Sequence, residues 1–375
     1  MSGSCTDEAG NSASATFGPF NYDATAPDVT ASARDADHNG WYNHALTVSF
    51  SGTDTANGSG NVTCDADVNY SGPATSSHSI SGSCADDAGN SASGTFGPFK
   101  YDATAPTISG AKSPGPNSFG WNNGSVTVSY TCDDNLSGVA SADCGPNQTL
   151  SGEGAGQSST GNATDDAGNT ASTTVNNINI DKTNPLVSLV GGPAGGGSYY
   201  FGFVPSAPTC NASDVLSGLA APCSVSGYSD AVGPHTVKAE AKDKADNTAS
   251  ESHAYTVLGW DFRGFYQPVD MNNVVNTVKG GSTVPFKFEL FAGSNELTET
   301  SRVVTPLKAT KVNCDTGLTE DTIELLATGG TSLRYDTTGG QYIYNWQTPK
   351  QPGACYDVTI TAQDGSSKTA HFKLK

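Results

Sequence analysis

The sequence predicts an all-β protein: a row of small two-sheet sandwiches, closed at its C-terminal end by a β-sandwich of a different kind. Three observations carry this prediction. Two short motifs return with a period of 79 residues, apolar and polar residues alternate within each period, and turn-forming Gly and Asn separate the alternating runs. No stretch has the 3.6-residue apolar period of an amphipathic helix.

The period comes first, because a missed repeat misassigns a whole fold. Tyr22-Asp23-Ala24-Thr25-Ala26-Pro27 returns as Tyr101-Asp102-Ala103-Thr104-Ala105-Pro106, and in degraded form as Ile180-Asp181-Lys182-Thr183-Asn184-Pro185. In register with it, Asp7-Glu8-Ala9-Gly10-Asn11 returns as Asp86-Asp87-Ala88-Gly89-Asn90, as Asp165-Asp166-Ala167-Gly168-Asn169, and as Asp243-Lys244-Ala245-Asp246-Asn247. Two markers that keep one spacing over several copies define a structural unit.

Within a unit, Leu46-Thr47-Val48-Ser49-Phe50 and Val126-Thr127-Val128-Ser129-Tyr130 alternate strictly. Period-2 alternation gives a strand one buried and one wet face. Gly and Asn between such runs accept positive φ and mark turns. Short strands at regular spacing in about 80 residues predict a two-sheet sandwich.

These repeats resemble the bacterial immunoglobulin-like modules of large surface and secreted proteins, whose signature is a D-x-A-G-N turn followed by D-x-T-x-P at the junction. The resemblance covers residues 1–258 and implies tandem immunoglobulin-like β-sandwich domains in a rod. The predicted units are 23–101, 102–180 and 181–258. Residues 1–22 match only the end of a repeat, Ser2-Gly3-Ser4-Cys5 aligning with Ser81-Gly82-Ser83-Cys84. A repeat continuing N-terminally in nature accounts for this, and so does completion of a sandwich in a neighbouring chain. Residues 259–375 carry neither marker. Their Pro285, Lys287 and Phe288 resemble the PxKF module found at the ends of secreted bacterial repeat proteins, and Asp357-Val358-Thr359-Ile360-Thr361 alternates as a strand.

Composition sets limits on function. A chain of 375 residues with 35% hydrophobic content builds several small cores rather than one large one. The net charge is −19. Residues 259–375 hold 11 basic and 12 acidic residues, which leaves 7 basic and 25 acidic in residues 1–258. Such an acidic stretch repels nucleic acid and anionic membranes, attracts divalent cations, and keeps a β-protein soluble. No secretory signal opens the chain, no apolar run reaches the ~20 residues of a membrane span, and no lipidation signal closes it.

None of the nine Cys forms a C-x-x-C pair, and only six His are present, which disfavours zinc. Separated Cys in β-sequence read as disulfides and imply an oxidising compartment. Aligning the repeats places Cys64, Cys144 and Cys223 on the third strand, Cys84 on the sixth and Cys132 at the end of the second. The expected pairs are Cys64–Cys84, Cys132–Cys144, Cys210–Cys223 and, in the last domain, Cys314–Cys355. Cys5 is left over. It awaits a partner preceding residue 1, or is a reactive or intermolecular thiol.

No nucleophile motif, phosphate-binding loop or H-E-x-x-H sequence occurs, so the chain reads as non-enzymatic. Three Asp positions recur: the linker Asp23, Asp102 and Asp181; Asp54, Asp134 and Asp214, each four residues before a Gly; and the turn-opening Asp86, Asp165 and Asp243. In an immunoglobulin-like topology these share one pole, so each set predicts a calcium site built from oxygen donors. The competing reading is turn chemistry alone, since such Asp bond their own backbone. No cofactor is required, and calcium is the ion the pattern admits. Trp41, Tyr42 and Trp121 precede the second strand of successive units. They serve either as sugar-stacking platforms or as sandwich caps.

The expected function is a secreted or cell-surface structural spacer, stiffened by disulfides and by calcium at the junctions. The alternatives are an adhesion module that grips cell-wall or host glycan or protein, and a filament subunit that self-assembles through residues 1–22.

Overall fold

The computed structural model describes residues 1–55, 58–272, 274–300, 307–315, 319–323 and 333–375, the backbone alone for 319–323. It is all-β, with no α-helix among the described residues. The chain divides into two units, Met1–Lys182 and Thr183–Lys375.

The first unit opens on a hairpin. β1 (Ser2–Thr6) and β2 (Ser12–Thr16) pair antiparallel from Ser2↔Thr16 to Thr6↔Ser12, and all ten residues are exposed. Two sheets follow. β3 (Asp28–Ser32), β5 (Leu46–Thr53) and β7 (Val68–Tyr70) form one, in the order β3-β5-β7. β4 (Trp41–Tyr42), β6 (Val62–Cys64), β8 (Thr75–Asp86) and β9 (Ser91–Tyr101) form the other, in the order β4-β9-β8-β6. The alternation of β5 turns Leu46, Val48 and Phe50 into a core with Tyr42, Tyr70, Ile80, Cys84, Phe99 and Tyr101. Each such large side chain contributes roughly 1.5–3 kcal/mol on burial. Gly82 is required where β8 passes the Phe50 ring, because a Cβ there would lie 2.6 Å from it.

The next pair of sheets repeats this plan with fewer large residues. β10 (Thr107–Ser113), β11 (Val126–Asp133) and β12 (Gln148–Leu150) form one sheet, and β13 (Gly154–Thr164) with β14 (Thr170–Ile180) the other. The core is Val126, Val128, Tyr130, Ile178 and Ile180. Gly161 lies beneath the Tyr130 ring as Gly82 lies beneath Phe50, and Tyr130 Oη pairs with Ser159 Oγ at 2.5 Å.

The second unit begins with β15 (Leu186–Val190) and β17 (Thr209–Ser213), facing a sheet in the order β16-β20-β19-β18, where β16 is Ser198–Tyr200, β18 Ser224–Ser226, β19 Gly233–Lys242 and β20 Thr248–Leu258. Its buried core is small: Val237, Tyr255 and Val257. A larger sandwich follows. One sheet joins β21 (Asp261–Tyr266), β23 (Thr283–Ala292), β24 (Asn295–Glu296), β27 (Arg334–Asp336) and β28 (Gln341–Gln347). The other joins β22 (Val275–Val278), β25 (Lys308–Val312), β26 (Thr319–Ile323), β29 (Cys355–Thr361) and β30 (Ser367–Leu374). Its core has 21 buried residues, many of them aromatic. Pro285, Lys287 and Phe288 lie on β23, where Phe288 stacks on Tyr342. Trp260 keys the preceding sheets to this sandwich: its ring meets Phe201 edge-on, its Nε1 donates to the Phe201 carbonyl at 3.0 Å, and its backbone N–H donates to Asp364.

Four disulfides join Cys64 to Cys84, Cys132 to Cys144, Cys210 to Cys223 and Cys314 to Cys355, and Cys5 is free and exposed. Cys64 and Cys84 face each other across the β6–β8 ladder. Cys144 and Cys223 depart from the expected strand position. Cys144 makes only a single bridge, to Ala163, and Cys223 directly precedes β18. The Gly- and Pro-rich sequence around them leaves little to propagate a ladder.

Candidate cation sites at the aspartate triads

The turn-opening Asp is fixed by its own motif. In each of four copies its Oδ1 accepts the backbone N–H of the Asn four residues on, and its Oδ2 accepts that Asn's side-chain amide. The pairs are Asp7–Asn11, Asp86–Asn90, Asp165–Asn169 and Asp243–Asn247, at 2.7–3.0 Å. The Gly of the motif supplies the positive φ the turn needs, and in the last copy Asp246 adopts φ 75° in its place.

In two copies the same Asn reaches further. Asn90 Nδ2 donates to the Asp23 carbonyl at 3.3 Å, and Asn169 Nδ2 to the Asp102 carbonyl at 3.0 Å. The turn is thereby tied to the linker that enters the repeat. The linker carboxylate is held in turn: Asp23 accepts N–H bonds from Thr25 and Ser59, and Asp102 from Thr104 and Ser137. The Thr25 bond first, and the Ser59 bond after it, hold the Asp23 carboxyl below the usual aspartate range.

The third carboxylate sits in the loop after the second strand. Asp134 accepts from the N–H groups of Leu136 and Gly138 and from Ser137 Oγ. Burial alone raises its pKa, but the Gly138, Leu136 and Ser137 bonds outweigh that and hold it low. Asp54 accepts from the N–H groups of Thr55 and Gly60, and Gly58 approaches its carboxylate so closely that a Cβ would overlap it.

These bonds bring two triads together. Asp23, Asp54 and Asp86 each offer a carboxylate oxygen within 4.8 Å of the others, as do Asp102, Asp134 and Asp165. Asp86, Asp102 and Asp165 are buried. No Lys or Arg pairs with any of the six among the described residues. Three carboxylates so close repel one another unless a positive partner joins them. The donors are all oxygen, which suits a hard divalent cation such as calcium rather than zinc. Asp181 ends the first unit buried, its N–H donating to the Asn122 carbonyl. In the second unit, Asp214 accepts from Leu216, Ser217 and Gly218 as Asp134 does from its neighbours.

Of the three aromatic positions, two are buried. Trp41 and Tyr42 are 7% and 6% exposed; they alternate across β4, so Tyr42 enters the core with Phe50 and Phe99 while Trp41 lies on the opposite face. Lys100 Nζ lies 5.3 Å from the Trp41 ring centre, and the Tyr42 hydroxyl donates to the Arg34 carbonyl. Neither ring face is open to a sugar. Trp121 is half-buried. The roles of Asn90 and Asn169 were missed by the sequence analysis, although their place in the repeated motif marks them.

No family model matches the chain, and no curated protein matches it. Solved structures with similar strand layout include four cadherin domains of protocadherin gammaB7 (12% identity, 93% of this chain and 100% of that one, TM-score 0.29). They also include the N-terminal eight Ig domains of Down syndrome cell adhesion molecule (13% identity, 92% and 49%, TM-score 0.27). Sidekick-1 immunoglobulin domains 1–4 are another (10% identity, 93% and 92%, TM-score 0.22). At such scores the likeness carries no argument about function. No described helix is long and apolar enough to cross a membrane.

Proposed function

We propose that this chain is a non-catalytic extracellular spacer from a modular surface or secreted protein. Its sandwich units are 23–101, 102–180, 181–258 and 259–375, each closed by one disulfide, with calcium held by the Asp triads at the linkers that enter 23–101 and 102–180. The observation that carries this reading is the convergence of Asp23, Asp54 and Asp86, and again of Asp102, Asp134 and Asp165, on the linker entering each repeat. Four disulfides suit an oxidising, extracellular setting.

Bound calcium supplies the positive charge that the clustered carboxylates lack. The chain's own residues do the rest. The Asn of the D-x-A-G-N turn fixes the turn carboxylate and grips the linker, so a cation held by linker, loop and turn restrains all three at once. The test is thermal unfolding of the oxidised protein in EDTA and then in millimolar calcium or magnesium. The expected result is a rise of about 3–6 °C with calcium that magnesium does not reproduce and Asp102→Ala reduces. No calcium shift in the native chain would refute the cation role and leave the Asp as turn residues.

A further inference from the structure

The sequence N-x-S or N-x-T, with x other than Pro, is the acceptor of amide-linked glycans in exported proteins. This sequon occurs eight times, from Asn57 to Asn211, and not once beyond Ser213. Three of the eight fall at one structural position. β7 is the free edge of the sheet β3-β5-β7, β12 of the sheet β10-β11-β12, and β17 of the two-stranded sheet β15-β17. Asn69 lies on β7, Asn147 directly precedes β12, and Asn211 lies on β17. β17 pairs with β15 as β5 does with β3 and β11 with β10. In the first two repeats that strand is central and holds no Asn. In the third, among the described residues, no strand pairs with its other side, and it carries the sequon. The sequon thus follows the edge rather than a fixed place in the repeat. Asn69, Asn147 and Asn211 are exposed, as are Ser71, Thr149 and Ser213 two residues on. None of the three side-chain amides makes a hydrogen bond among the described residues. Asn90 and Asn169, which hold the fold, stand outside any sequon. An uncovered edge invites pairing with another chain, and proteins blunt it with charge, Pro or cover. β7, β12 and β17 hold no charged residue and no Pro. The last sandwich has no sequon and uses charge instead: Asp261 and Arg263 lie on its edge strand β21, Arg334 and Asp336 on its edge strand β27.

We propose that Asn69, Asn147 and Asn211 accept N-linked glycans, and that these glycans guard the β7, β12 and β17 edges. On β17, Asn211 and Ser213 project from one face, both exposed with the half-buried Ala212 between them, so amide and hydroxyl are presented together. The donor is an oligosaccharide carried on a polyprenyl diphosphate. The Asn Nδ2 bonds to C1 of the first sugar, and the C1–O bond to the diphosphate breaks. The diphosphate leaves with the electron pair, the amide gives up one proton to the transferase, and nothing is oxidised. A bulky, hydrated chain beside the strand then keeps a second edge away. The proposal rests on the extracellular setting read above and is independent of calcium.

The test secretes the full chain from cells that glycosylate N-x-S/T sequences. Peptide mapping, before and after an amidase that releases N-glycans and leaves Asp, should find glycan on Asn69, Asn147 and Asn211. Ser71→Ala, Thr149→Ala and Ser213→Ala should each remove the glycan at its own site with the Asn intact. In sedimentation velocity the native glycoprotein should stay monomeric. Two combined variants, one with Asn69→Gln, Asn147→Gln and Asn211→Gln and one with the three hydroxyl changes, should both shift to dimers and larger species. Asn123→Gln, in the loop before β11, should cause no such shift. Unchanged far-ultraviolet circular dichroism separates loss of glycan from loss of folding. A secreted chain with its four disulfides formed and these Asn unmodified overturns the proposal and leaves the spacer reading standing. Combined variants that remain monomeric overturn it equally.

Discussion

The side-chain amide of Asn169 donates to the backbone carbonyl of Asp102 at 3.0 Å, across 67 residues of chain. One side chain thus links the turn between the last two strands of a repeat to the segment through which that repeat is entered. Asn90 does the same to Asp23.

Replacing Asn169 by Ala removes this bond together with the bond to Asp165 Oδ2. The expected cost is about 1–3 kcal/mol, because partly buried acceptors lose their donor. Asn11→Ala, in the exposed hairpin where Asn11 bonds only Asp7, should leave the main unfolding transition in place. Urea unfolding of both variants checks the contrast.

Gly58 approaches the Asp54 carboxylate too closely to tolerate a Cβ. Gly58→Ala should displace Asp54 and disable the Asp23 triad while sparing Asp102, Asp134 and Asp165. Calorimetric titration with calcium should then show one site fewer than the native chain. An unchanged stoichiometry would separate Asp54 from cation binding.

The units depend unequally on their disulfides. Five buried residues form the core beside Cys132–Cys144, against 21 in the sandwich that holds Cys314–Cys355. Each closed loop is worth about 2–4 kcal/mol, a larger share of the stability of the smaller core. The core beside Cys210–Cys223 is smaller still, with three buried residues, so under reducing conditions limited proteolysis should cut residues 107–180 and 186–258 before β21 to β30 and leave a late fragment containing the last sandwich.

Alkali should test the last sandwich from another side. Burial, then the hydrogen bond from Tyr335 to Glu296 at 2.6 Å, push the Tyr335 phenol up to about 12. A phenol raised in the fold contributes stability in full below its unfolded pKa of about 10 and loses it as pH rises through the folded value. Absorbance titration at alkaline pH should therefore find a late-titrating tyrosine. Burial raises Tyr266 and Tyr342 as well, so Glu296→Gln should shift one late phenol earlier, and Tyr335→Phe should remove that one and leave the others.

Much of this was written in the sequence because repetition and alternation are local signals. The runs starting at Leu46 and Val126 became β5 and β11, and the Asp register placed equivalent carboxylates at equivalent turns. The surroundings of Trp41 and Tyr42 were not legible, because a two-residue parallel pairing with β9 has no local signature. The glycines beneath Phe50 and Tyr130 were equally hidden. A strand Gly carries no apolar signal of its own, and only the cross-sheet contact shows why a side chain is excluded.

Trp260 gives the third repeat a joint of another kind. Its contacts with Phe201 are ring packing and a backbone hydrogen bond, so chelators and changes of salt leave them intact. Stretched from its ends under single-molecule force, the segment from β15 to β30 should yield as one mechanical element, in a single rupture that is insensitive to calcium.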